Sequence, residues 1–142
     1  MASPAPAANL TPGLVWLFLS PIGRVGRHAY WLAFALVWVV IGIAFNMWWS
    51  SLGPDIDINQ VTLVSFMESN ALFPLLFLLL QWIELALVIK RCQDIGVTGF
   101  LGLLIFVPII NVLAVVIIGV APGIRGPNKH GPMSDSYFRR SS

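Results

Sequence analysis

Arg24, Arg27, Lys90, Arg91, Arg125 and Lys129 are six cations set among Gly, Pro and Asn residues at three places in an otherwise apolar chain. A guanidinium makes bidentate hydrogen bonds to phosphate, and glycine lets a backbone approach closely. The chemistry such a set can do is recognition of an anion, and at headgroup level the anion is a lipid phosphate. The same residues suit an internal brace. Asp94 lies three positions from Arg91 and can face Arg24 or Arg27, held by charge-assisted hydrogen bonds. Both uses stay open on the sequence.

A second polar set lies inside the apolar runs. Gln81 and Glu84 are three apart and share a helical face, with Asn111 in the following run. An ionisable residue within a span is costly and by default marks function. The functional use is a polar track for a proton, an ion or a headgroup. The structural use is a carboxyl hydrogen-bonded to Gln81 or to the backbone near Asn111. His28 and His130 have no Cys, Asp or Glu partners at metal-ligand spacing, so no metal site is expected. The single Cys92 excludes an internal disulfide. No nucleophile elbow, phosphate loop or paired carboxylates occur. The expectation is a protein without enzyme activity and without a cofactor.

The elements that must position these residues are membrane segments. Hydrophobic residues make up 58% of the 142 and charged residues 10%, against about 25% charged in soluble domains. Mean hydropathy is +0.86. So few charges cannot clothe a soluble protein of this size. All eight Lys and Arg lie outside the long apolar runs, which favours bilayer topology over a nucleic-acid face. Residues 1–13, rich in Ala and Pro, are expected to form a disordered arm. Leu14 to Leu19 is too short to span and reads as an interfacial segment rather than a signal peptide. Spans are expected at about residues 30–49, 71–89 and 100–121, each close to the ~20 residues that cross ~30 Å of hydrocarbon. Together 14–132 make one helical membrane domain, followed by a flexible tail at 133–142.

The third apolar segment is broken at Pro108 to Asn111, because a mid-helix proline removes a backbone hydrogen bond and clashes with the preceding turn. It is either a kinked span or a re-entrant hairpin. With three full crossings the basic residues divide four against four. With a hairpin all eight share one side, and the loop holding Asp55, Asp57 and Glu68 faces the other. The positive-inside rule prefers the second arrangement, with both termini cytoplasmic. The fold class expected is therefore an all-α membrane protein of two full transmembrane helices plus a broken third segment.

Three motifs together resemble the bacterial membrane proteins of the domain of unknown function 805 family. They are Gly23-Arg24-x-x-Arg27-x-x-Tyr30-Trp31, Arg91-x-x-Asp94-x-Gly96-x-Thr98-Gly99-Phe100, and Pro122-Gly123-x-x-Gly126-Pro127-Asn128-x-x-Gly131-Pro132. The resemblance covers roughly residues 14–132. Family members usually have His where this chain has Gln93, and favour Trp at Phe100. What the resemblance implies is a small multi-span protein of the bacterial inner membrane, with no activity attached. The leading functional expectation is a membrane component that binds anionic lipid headgroups, or a partner protein, through the cytoplasmic Arg/Gly/Pro cluster. A subunit of a small oligomeric transporter or channel using Glu84 is the alternative, and it requires a homo-oligomer or another membrane partner. No nucleic-acid partner is expected.

Overall fold

The computed structural model describes residues 7–139. The element order is β1 (Ala8–Asn9), α1 (Leu14–Leu19), α2 (Arg27–Ser51), a 3-10 helix (Ile58–Gln60), α3 (Leu63–Glu68), α4 (Leu72–Ile95), a second 3-10 helix (Gly99–Phe106), α5 (Ile110–Val120) and β2 (Tyr137–Phe138). Two helices, α2 and α4, are long and apolar enough to cross a membrane. Both are apolar nearly all round, as a helix surrounded by lipid should be. Leu32 on α2 is 71% exposed and Leu78 on α4 is 65% exposed. Leu75, Val112, Ile117 and many similar side chains also face outward. Water would reject such a surface, whereas lipid accepts it. The molecule is a helical membrane protein.

Helix α4 continues past the expected end of the second span at residue 89. Lys90, Arg91, Cys92 and Asp94 are all helical and buried. Their charges do not stop the helix because each is paired inside the protein. Gly96 stops it, adopting the left-handed conformation (φ 81°, ψ 16°) that only glycine takes cheaply. The first span likewise extends over Arg27–Ser51 rather than 30–49.

The third apolar segment is two legs around a break. The 3-10 helix Gly99–Phe106 packs along the second half of α4, with Gly102 against Ile89 and Leu85. Residues 107–109 separate it from α5, and Ile109 there takes φ 70°. Eight 3-10 residues rise roughly 16 Å, and eleven α-helical residues also rise roughly 16 Å. Ile124 N–H donates to Asp94 O at 2.8 Å. Asn111 satisfies part of the break by donating from Nδ2 to Ile105 O at 2.6 Å.

The expected disordered arm and flexible tail need correction within the described residues. β1 and β2 pair antiparallel, Ala8 with Phe138 and Asn9 with Tyr137. Trp16 stacks on Tyr137 with ring centroids 5.8 Å apart. Ser136 is fully buried, and its carbonyl accepts from Arg24 N–H at 2.9 Å. The tail is recruited because its backbone completes hydrogen bonds that the loop before α2 cannot make alone. Residues 1–6 and 140–142, including Arg140, lie outside the described residues.

The core is packed between α2, α4, α5 and the 3-10 leg. Tyr30 and Phe34 meet Leu87, Val88, Ile105, Ala114 and Ile118 in one buried cluster. It sits against the Asp94 end of α4 and underpins everything assembled there.

Candidate functional site

Asp94 is the centre of the site. Its Oδ1 accepts from Arg24 Nε at 3.0 Å and from Ser134 Oγ at 2.6 Å. Its Oδ2 accepts from Arg91 Nη1 at 2.5 Å. Arg24, Arg91 and Asp94 are each at most 1% exposed. Two cations and one anion therefore sit out of water with a surplus positive charge. Carbonyl dipoles carry the surplus. Arg24 also donates to Ile124 O, Gly126 O and Gly131 O. Arg91 donates to Ile118 O, Ala121 O and Val25 O.

Two of these carbonyls, Ile118 O and Ala121 O, are at the end of α5, and the others are in loops. The last turn of an α-helix leaves carbonyls without intrahelical donors and a partial negative charge. Arg91 closes the end of α5 through Ile118 and Ala121. Lys90 closes the end of α1, its Nζ donating to Trp16 O and Leu17 O, and lies 4.3 Å from the Trp16 ring centroid. Asn128 Nδ2 and Ile124 N–H close the end of α4 through Gln93 O and Asp94 O. At the start of α2, Asp135 Oδ1 accepts from Gly26 N–H at 2.7 Å, an anion at the positive pole. Each of the four termini gathered here is closed by a group from another segment. Near lipid, where water cannot serve these groups, such mutual closure is what permits helix ends at all.

Gly123 shows how close the segments lie. A Cβ there would collide with the Asp94 carboxylate. A side chain at this position would push the loop after α5 off the charge.

The remaining cations behave differently. Arg27, Arg125 and Lys129 are exposed. Arg27, His28 and Arg125 flank a groove of about 600 Å3 whose floor is Arg91, Asp94, Gly123 and Ser134. The His130 imidazole is held below its ordinary pKa by partial burial first, then by Lys129 and Arg24.

Residues 18–132 match the family described as "Protein of unknown function (DUF805)". The chain belongs to the DUF805 family. It is also similar to "Inner membrane protein YhaI" of Escherichia coli strain K12, at 29% identity over 110 residues, covering 77% of this chain and 80% of that protein. The protein of the same description in Escherichia coli O157:H7 matches equally. No solved structure matches the chain.

In this DUF805 member the three motifs are the three strands of one junction. Arg24 comes from the first, Arg91 and Asp94 from the second, and Gly126, Asn128 and Gly131 from the third. Asp94 pairs with Arg24, not with Arg27, which points to the groove. Tyr30 donates to Val115 O at 3.0 Å, and Trp31 packs edge-on against Tyr30. Gly99 lies against Ile89. Gln93, at the DUF805 position usually held by His, keeps a buried Oε1 without a partner. Gln81, Glu84 and Asn111 form a separate polar group, with Gln81 Nε2 3.4 Å from Glu84 Oε2 and Asn111 beside the Glu84 carboxyl.

The sequence left Arg24, Lys90 and Arg91 open between a headgroup surface and an internal brace, and all three are buried and hydrogen-bonded within the protein. Sequence reasoning missed Ser134, Asp135 and Ser136 altogether. A signal was present: the aromatic pair Tyr137-Phe138 is poor composition for a solvated tail.

Proposed function

We propose that this chain is a non-enzymatic component of the bacterial inner membrane whose cytoplasmic surface recognises anionic lipid headgroups. The junction around Asp94 holds the membrane segments together, and Arg27, Arg125 and Lys129 meet the lipid. The observation that carries this reading is the division of labour among the cations. Arg24, Arg91 and Lys90 are consumed by internal acceptors, while Arg27 and Arg125 flank an open groove and Lys129 is exposed beside a second one. A basic residue near an anionic surface contributes about 1 kcal/mol. Replacing Arg27, Arg125 and Lys129 together by Gln is expected to weaken binding to phosphatidylglycerol vesicles by about 100-fold at low salt. The unfolding midpoint should stay unchanged, because none of the three braces the fold. Equal binding to neutral phosphatidylcholine vesicles would rule the reading out.

The membrane arrangement belongs to the same proposal. Two full crossings by α2 and α4 put the start of α2 and the end of α4 on one side. The two legs of the third segment, each roughly half the ~30 Å hydrocarbon thickness, enter and leave on that side, with the break near mid-depth. All described basic residues then share the cytoplasmic face. A membrane-impermeant thiol reagent on intact cells is expected to label a cysteine placed at Asn59 and to leave one placed at Lys129 unlabelled. External labelling at 129 would mean that the third segment crosses.

A further inference from the structure

We propose that the chamber between α2 and α4 binds a lipophilic organic cation, with Glu84 as its counter-charge. The chamber holds about 530 Å3, within the ~300–1,000 Å3 of small-molecule sites. Along α4 it runs from Phe73 to Glu84, away from the Asp94 junction, and α3 closes its far end. Phe45, Trp48, Phe66 and Phe73 form a continuous aromatic contact from α2 through α3 to α4, so the lid is held by rings. Trp38 and Phe77 add two more aromatic walls.

Aromatic faces attract cations through the ring quadrupole, most strongly when water is excluded. A chamber for a plain acyl chain needs no carboxyl, yet Glu84 and Gln81 stand at its inner end. Charge outside the chamber points the same way. Residues 28–89 contain Asp55, Asp57, Glu68 and Glu84 and no Lys or Arg. This half of the molecule therefore draws cations toward the chamber and repels anions. The inference goes beyond the headgroup reading and uses none of its residues.

The test uses the full chain in an uncharged detergent, with tetraphenylphosphonium and tetraphenylborate as probes of similar shape and opposite charge. The cation is expected to bind saturably over empty micelles and to quench Trp38 and Trp48, whereas the borate does not bind. Glu84→Gln should weaken cation binding about tenfold or more, while the Arg27, Arg125 and Lys129 triple variant binds it normally. Equal binding of both probes, or no saturable binding of the cation, overturns the proposal. So does unchanged cation affinity in a Glu84→Gln protein that keeps its unfolding midpoint. Should that variant fail to fold, the comparison of the two probes on the unaltered protein decides alone.

Discussion

Asp94→Asn is expected to lower the unfolding free energy by about 3–5 kcal/mol, the cost of removing one partner from a buried ion pair. The reason is charge rather than shape. Asn fills nearly the same volume and can still accept from Ser134, but it leaves the Arg24 and Arg91 guanidiniums buried with no anion between them. Carbonyl dipoles cannot offset two full charges in a site that water does not reach. Denaturant titration in detergent, followed by tryptophan fluorescence, measures the loss. Adding Arg24→Gln to Asp94→Asn should recover part of it, since one of the two stranded charges is then gone. A loss below about 1 kcal/mol, the range of surface ion pairs, would mean that the junction is open to water and is not the brace.

Arg91→Lys is expected to loosen α5 selectively. Lysine keeps the charge but replaces a planar fork by a point donor on a flexible stem. Arg91 reaches four acceptors in three segments: Val25 O before α2, Asp94 on its own helix, and Ile118 O and Ala121 O at the end of α5. An ammonium cannot serve all of these at once. Hydrogen bonds from charged groups contribute about 1.5–3 kcal/mol each, so losing the α5 pair should raise local opening of Ile110–Val120 by about 100-fold or more. Hydrogen exchange read by mass spectrometry would show it, with α2 amides little changed. Uniform acceleration across α2, α4 and α5 would mean that the helices open as one unit and that Arg91 has no special hold on α5.

The two predictions rest on one arrangement, in which helix ends are closed by side chains from distant segments. The residues form a lock among four termini, and the exposed cations and the chamber at Glu84 are carried by what the lock holds in place.

Sequence alone determined the membrane class, the two long helices and the interruption near Pro108. Hydropathy, charge position and the missing proline N–H are properties of a residue and its near neighbours, so they can be read along the chain. The meeting of Arg24, Arg91 and Asp94 was half legible, because placing all the motifs on one face made some pairing necessary. Which Arg would be buried, and that Lys90 would turn inward to α1, was not. Neither was the docking of Ser134 to Phe138, whose partners lie more than a hundred residues earlier for Gly26–Asp135 and Asn9–Tyr137. Only the tertiary structure decided these, because a cation is buried or exposed according to the carbonyls and carboxylates that other segments bring to it, and local sequence does not record who arrives.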